Sequence, residues 1–141
     1  MHKTEIRVQW YDVDCARVVY FGNYFRFFST AEDEYMRSLG ITHRELIEQH
    51  NISFARIETT CRFIRPVRYD DIIEVHTKMK FENYRFLTFQ FDLFRKEGVV
   101  LLARATIRTA CVRMEDKFKA IRIPGAIIKR LSRGISNPEK L

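Results

Sequence analysis

The sequence lacks several features that define specialised classes of protein. No apolar run approaches the roughly 18 residues needed to span a bilayer, and the first residues, MHKT, lack the apolar centre of a secretion signal. Cysteine is scarce: Cys15, Cys61 and Cys111 form an odd set without a CxxC pair. This pattern argues against a disulfide framework and against a zinc knuckle. These absences predict a soluble, cytoplasmic protein with reduced thiols.

Length and charge set the next limits. The 141 residues, 46% of them hydrophobic and 13% aromatic, fit one domain with one core, and no internal repeat or low-complexity linker divides them. A net charge of +7 would attract a polyanion, and both nucleic acid and a phosphorylated cofactor qualify. Basic residues cluster only near the C-terminus. We therefore predict a single domain over residues 1–131 and a basic tail over 132–141.

Hydrophobic periodicity predicts the first secondary-structure elements. Residues 5–10 alternate between apolar and polar, which predicts a half-buried strand with Trp10 on its apolar face. Apolar residues then recur at helical spacing from an N-cap at Asn23 to a stop at Gly40, which predicts a helix of about four turns. A capping box that begins at Thr42 predicts a short second helix.

The second half of the chain has the period of two that is typical of strands. The predicted strands cover 53–64, 71–80, 84–95, 99–113 and a short final segment at 118–123. Pro124 suits the first position of a C-terminal helix. Short turns predict antiparallel neighbours, and only the first link between these strands stays open. The order predicts an α+β fold whose sheet wraps the long helix, and the exposed sheet edges predict a homo-oligomer.

Two carboxylates, Asp12 and Asp14, lie in the loop between the first strand and the long helix, next to apolar residues. The loop precedes the first N–H groups of the long helix, which have no partner within the helix and carry a partial positive charge. A loop aspartate taken alone is more often a turn or cap residue, and we assign Asp12 a structural or solvated role. Cys15 has no histidine nearby in the sequence and is interpreted as a packing residue.

This stretch and the order of elements resemble the hotdog-fold acyl-CoA thioesterases of the 4-hydroxybenzoyl-CoA thioesterase type. The residues that carry the resemblance are Arg7-Val8, Asp14, Val18-Val19, Phe21 and Tyr24, with YDDIIEV at 69–75 and FKAIRIP at 118–124. The resemblance covers about residues 5–131. The chain departs from the family pattern at Val13, Arg17 and Ser29, and it has Phe21 where many bacterial members have histidine. Arg17 stands where the family usually has glycine.

The resemblance implies a hotdog fold and the hydrolysis of an acyl-CoA to a free acid and CoA, without a metal or prosthetic group. It implies that Asp14 acts either as a nucleophile, through a mixed anhydride, or as a general base for water. The N–H of Phe21 would polarise the thioester carbonyl. Tyr20 and Tyr24 would contact the acyl group, and Arg85 would contact a CoA phosphate.

The acyl group stays open between an aryl and a fatty acyl chain. An acyl group on acyl carrier protein is also compatible with the positive charge. A non-catalytic acyl-CoA-binding module and a nucleic-acid binder are the competing classes, although the sequence has no RNP-like, glycine-rich or Cys/His element. The predicted homo-oligomer is a dimer or a tetramer.

Overall fold

A six-stranded antiparallel sheet and one long helix dominate the computed structural model, which describes residues 1–96 and 98–135. The strands are β1 (His2–Arg7), β2 (Ile52–Phe63), β3 (Ile72–Asn83), β4 (Phe86–Arg95), β5 (Leu101–Arg113) and β6 (Asp116–Ala120). The helices are α1 (Tyr24–Ser38), α2 (His43–His50) and α3 (Gly125–Leu131). The predicted α+β architecture is confirmed.

The strands run in the order β1-β3-β4-β5-β2, and β6 pairs with β5. Every one of these pairs is antiparallel, as the short turns predicted. The link from β2 to β3, left open by the sequence, crosses from one edge of the main sheet to the strand next to the other edge. Strands β1 and β2 therefore form the two edges.

Helix α1 supplies the centre of the core. Phe27, Phe28 and Ala31 on one face of α1 are fully buried, and the Phe28 ring packs on Phe91 of β4 with ring centroids 5.1 Å apart. Burial of each phenylalanine contributes roughly 1.5–3 kcal/mol. The helix begins after Asn23, as predicted, but the Asn23 side chain makes no capping hydrogen bond and donates to the Asp12 carbonyl instead. Gly40 takes a positive φ of 74° just after the end of the helix. The stripe of apolar residues thus places the start of α1 next to the loop that leaves β1.

The prediction that Trp10 lies on the apolar face of a strand is wrong. Strand β1 ends at Arg7, and Trp10 begins a short 3₁₀ turn with 73% of its surface exposed. The physical reason is Asp12, whose carboxylate accepts the Gln9 N–H at 2.7 Å and bends the chain out of the sheet. The last inward residue before this bend is Val8, which is buried.

The C-terminal helix closes the far end of α1. Arg130 of α3 donates to the Gly40 carbonyl at 2.6 Å and pairs with Glu45 of α2. The Tyr35 hydroxyl donates to the Gly134 carbonyl at 2.7 Å. The described part of the predicted tail therefore packs against the domain, and residues 136–141 lie outside the described residues. No helix in 1–96 or 98–135 is both long enough and apolar enough to cross a bilayer.

Candidate functional site

A tight hairpin between β1 and α1 holds Asp14. The Asp14 N–H donates to the Val18 carbonyl and the Tyr20 N–H donates to the Asp12 carbonyl, both at 3.0 Å. The Arg17 N–H returns to the Asp14 carbonyl, also at 3.0 Å, and closes the turn. Backbone hydrogen bonds therefore connect the loop of the two acids to the residue that precedes Phe21.

The Asp14 side chain is partly exposed and faces an open groove with a volume of about 680 Å³. The groove is lined by Trp10, Val13, Asp14, Cys15, Arg17, Arg68 and Tyr69. Asp14 Oδ1 accepts the Ala16 N–H at 2.8 Å, so this oxygen has the turn role typical of loop aspartates. Oδ2 has no hydrogen-bond partner among the described residues and is available for chemistry.

Asp12 anchors the junction from below the surface. It is fully buried, and its carboxylate accepts from the Gln9 N–H and from Arg26 of α1, with Arg26 Nε at 2.8 Å from Oδ1. Its carbonyl accepts from Asn23 Nδ2 at 2.9 Å. Asp12 therefore has the predicted structural role, in a buried rather than a solvated position. It connects the end of β1 and the hairpin to the first turn of α1.

The start of α1 presents unpaired amides. A 3₁₀ turn over Phe21–Asn23 precedes α1, and the N–H groups of Phe21 and Gly22 have no acceptor within the part of the chain that the structure describes. They lie at the positive end of the helix dipole. A Cβ at Gly22 would lie 2.9 Å from the Tyr20 ring, so any other residue here would have to displace this ring. The arrangement can hold a negatively charged oxygen.

The aromatic residues at this junction form one cluster. Tyr20 and Phe21 are 48% and 61% exposed, and their ring centroids lie 4.8 Å apart. Tyr24 is 4% exposed and contacts Phe63 of β2 edge to face at 4.9 Å. Tyr24 is therefore mainly a core residue, whereas Tyr20 and Phe21 are accessible. Burial also raises the pKa of the Tyr24 hydroxyl, which keeps it neutral.

Phe63 was not identified by the sequence reasoning. It lies at the end of β2, is 46% exposed and also contacts Phe21 edge to face at 6.4 Å. The alternation of apolar and polar residues along β2 does not predict this contact, because β2 and α1 are brought together only by the tertiary fold. The aromatic cluster of Tyr20, Phe21, Tyr24 and Phe63 thus adjoins the helix start, while none of its members lines the groove of Asp14.

Arg85 lies far from this site within one chain. It follows β3, whose first residue Ile72 pairs with Arg7 beside the hairpin, and the Arg85 N–H donates to Asn83 Oδ1 at the opposite end. The 12 residues of β3 separate the two ends by roughly 36 Å. One chain therefore does not bring Arg85 to Asp14. The described residues contain no group of histidine, cysteine and acidic side chains placed to hold a metal ion.

Comparisons with known proteins show the family and the fold of this chain. The family model described as the thioesterase-like superfamily matches residues 8–131. The acyl-CoA thioesterase YbgC of Haemophilus influenzae is 29% identical over 119 residues, which cover 84% of this chain and 85% of that protein.

Solved structures give the same result for the fold. A hypothetical protein from Thermus thermophilus has a TM-score of 0.85 at 27% identity and covers 94% of this chain and 98% of its own. A 1,4-dihydroxy-2-naphthoyl-CoA thioesterase from Synechocystis has a TM-score of 0.85 at 19% identity, and the match covers 96% of this chain and 98% of that chain. At this identity the match supports a shared fold and nothing further. The predicted hotdog fold is confirmed, and the chain belongs to the thioesterase-like superfamily.

Proposed function

We propose that this protein hydrolyses acyl-CoA thioesters to a free acid and CoA, with Asp14 as the catalytic carboxylate. The observation that carries the proposal is the position of Asp14, which lines an open groove with one carboxylate oxygen unpaired among the described residues, while its hairpin leads directly into the unpaired amides of Phe21 and Gly22. The acyl-CoA thioesterase among the relatives supports CoA as the carrier of the acyl group.

Two routes use the same groups. In the first, Asp14 Oδ2 attacks the thioester carbon, the C–S bond breaks to release CoA thiolate, and water then hydrolyses the mixed anhydride. In the second, Asp14 takes a proton from a water that attacks the same carbon, and the proton passes to the leaving sulfur. In both routes the Phe21 N–H stabilises the oxyanion, aided by the dipole of α1.

A single-turnover reaction in H₂¹⁸O separates the two routes. If Asp14 is the nucleophile, water that attacks the Asp14 carbonyl of the anhydride leaves its label in the Asp14 carboxylate, where mass spectrometry of the peptide detects it, and label found there establishes this route. If Asp14 is a general base, all of the label enters the product acid. Excess enzyme over substrate keeps each active site to one turnover.

Asp14→Asn tests the proposal. The amide is a poor nucleophile and a poor base, so we expect kcat to fall on the order of a thousandfold in a free-thiol release assay, with little change in substrate binding. Asp116→Asn is the matched control, because Asp116 accepts the Phe118 N–H in a similar turn at the opposite end of the sheet. Near-parental turnover by Asp14→Asn would reject Asp14 and favour a binding module or another catalytic residue.

The aromatic cluster supports an aryl or a medium-to-long fatty acyl group as substrate. Exposed rings of Tyr20 and Phe21 offer apolar surface beside the proposed oxyanion site. A panel of short, long, branched and aryl acyl-CoA esters measures this preference. The net charge of +7 favours acyl carrier protein as the second candidate carrier, and the same acyl group on CoA and on carrier protein compares the two directly.

We also propose that the protein works as a homodimer or tetramer. In support, the apolar side chains of Ile57, Phe63 and Ile64 are 39% to 46% exposed on or just beyond the edge strand β2. An exposed edge with apolar side chains favours pairing with another copy. A sedimentation mass equal to one chain at micromolar concentration would refute this assembly.

Arg85 can contact a substrate bound near Asp14 only in such an assembly, because it lies far from Asp14 in its own chain. We propose that it contacts a CoA phosphate bound at the site of another copy. Mixed oligomers of Asp14→Asn and Arg85→Gln chains should then contain some sites with both residues intact. Activity above that of either variant alone supports this arrangement, and activity no higher than their average counts against it.

A further inference from the structure

Two arginines line the same groove as Asp14. Arg17 and Arg68 are both exposed, and neither guanidinium has an acidic partner or another hydrogen-bond acceptor among residues 1–96 and 98–135. Their neighbours differ, since Arg7 pairs with Asp70 at 3.1 Å and Arg26 pairs with Asp12. With Asp14 the groove carries two guanidinium groups and one carboxylate, so positive charge is in excess and an additional anion would be attracted there.

Two aromatic residues line the same groove. Trp10 and Tyr69 are 73% and 51% exposed, and their rings meet edge to face with centroids 5.2 Å apart. The aromatic pair adds flat apolar surface to the groove that holds the two arginines. A volume of about 680 Å³ also falls within the range of small-molecule sites. The groove therefore suits a ligand that combines an anionic group with an apolar or planar part.

The backbone fixes the position of Arg17. Its φ of 64° is in the left-handed region, where glycine is free of strain and a long side chain is not. Among the described residues, the other non-glycine residues with positive φ are Asn51 and Asp70, whose side chains tolerate this conformation better. The Arg17 N–H donates to the Asp14 carbonyl, so the turn that holds Asp14 also fixes the backbone of Arg17 at the same groove.

We infer that Arg17 and Arg68 form a subsite for an anionic group of the substrate, with Trp10 and Tyr69 as its apolar wall. The inference rests on the proposed thioesterase function and specifies the substrate of that site. The anionic group is a carboxylate or a phosphate. It belongs either to the far end of the acyl chain or to the nucleotide part of CoA.

Binding of non-hydrolysable thioether analogues tests the inference independently of catalysis. Three analogues with the same linear chain are compared by calorimetry: a neutral acyl-CoA analogue, one with a terminal carboxylate, and a neutral acyl-pantetheine analogue without the nucleotide. We expect Arg17→Gly and Arg68→Gln each to weaken binding of the relevant anion about tenfold, as for the loss of one charge-assisted hydrogen bond. Arg44→Gln, on the exposed face of α2, is the charge-matched control.

The three analogues distinguish the sources of the anion. If the subsite binds a CoA phosphate, the variants weaken both CoA analogues and leave the pantetheine analogue unchanged. If it binds an acyl carboxylate, only the carboxylate analogue is weakened. Dissociation constants that stay within twofold of those of Arg44→Gln for all three would overturn the inference. Failure of Asp14→Asn to reduce turnover would reject the catalytic proposal without affecting these constants.

Arg17→Gly also separates binding from stability. Glycine relieves the strain of the positive φ, so the melting temperature should stay the same or rise while anion binding weakens. A lower melting temperature accompanied by unchanged affinity would show that Arg17 serves the turn alone and would overturn its place in the subsite.

Discussion

Asp12 and Glu32 are both buried carboxylates that pair with an arginine, yet their hydrogen bonds differ. Both Asp12 oxygens accept hydrogen bonds, from Arg26 and from the Gln9 N–H. Glu32 lies in the middle of α1 with 2% of its surface exposed, and its Oε1 accepts from Arg56 of β2 at 2.8 Å. Its Oε2 is buried without a partner within the described part of the chain.

The two carboxylates therefore differ in how far hydrogen bonds offset the free-energy cost of burying a charge. Around Asp12 the charge is fully compensated, and the hydrogen bonds hold β1, the hairpin and α1 in one arrangement. Around Glu32 burial is the main cause that raises the pKa of the carboxyl, while Arg56 and His43 oppose the rise and Asp33 adds to it. The junction that positions Asp14 is therefore the more rigid of the two regions.

Arg26→Gln should have the largest effect on this comparison. The change leaves Asp12 buried without its counter-ion, so we expect a loss of about 3–5 kcal/mol in the free energy of unfolding, measured by urea denaturation. Arg37→Gln on the same helix is the control, because Arg37 pairs with Glu34 at the surface and its loss should cost under about 1 kcal/mol. Equal losses of unfolding free energy in the two variants would show that the pair of Asp12 and Arg26 stabilises the fold no more than a surface pair does.

Arg56→Gln should have a smaller effect. Glu32 loses its partner, but it can take up a proton, and the neutral acid is cheaper to bury. We expect a loss of about 1–2 kcal/mol at pH 7, most of which is recovered under mildly acidic conditions. A loss at pH 7 as large as that of Arg26→Gln, with no recovery in acid, would contradict this interpretation.

The smallest effect should be the pH dependence that Glu32 itself contributes. Its pKa is higher in the folded protein than in the unfolded chain, so the folded state binds more protons between those two values. The stability contribution of Glu32 therefore decreases as the pH rises through that window and is constant below it. Urea denaturation at a series of pH values should show this slope in the difference between the parent and Glu32→Gln.

Subtracting the two curves removes the opposite contributions of other acids. Hydrogen bonds from Arg130 and His76 lower the pKa of Glu45 and Glu74, so those groups stabilise the fold at higher pH and lose this effect as the pH falls. Parallel curves for the parent and Glu32→Gln would show that Glu32 does not titrate differently on folding.

The elements that local pattern determines were predictable from the sequence. The apolar stripe of α1 and the alternation of β3, β4 and β5 are periods that each segment carries by itself. The positions of Asp14 and Phe21 between β1 and α1 followed from the same reading and from the family signature. Their catalytic roles stay predictions, which Asp14→Asn and the labelling experiment test.

Contacts between distant segments were not predictable in this way. Trp10 was assigned to a strand because alternation continues past Arg7, whereas the buried Asp12 turns the chain away. Glu32 lies four residues after Phe28 on the buried face of α1, a signal that could have identified it. Its partner Arg56 lies beside an irregularity in the pairing of β2 and β5, which no local pattern shows.

The donors at the start of α1 are main-chain groups, and this has a consequence for substitutions at position 21. Every residue except proline supplies the same N–H there, so phenylalanine can stand where many bacterial relatives of this type have histidine without loss of the donor. An alanine scan would pass over this element of the site entirely. The side chain at this position can therefore vary to suit different acyl groups while the proposed oxyanion donor stays constant.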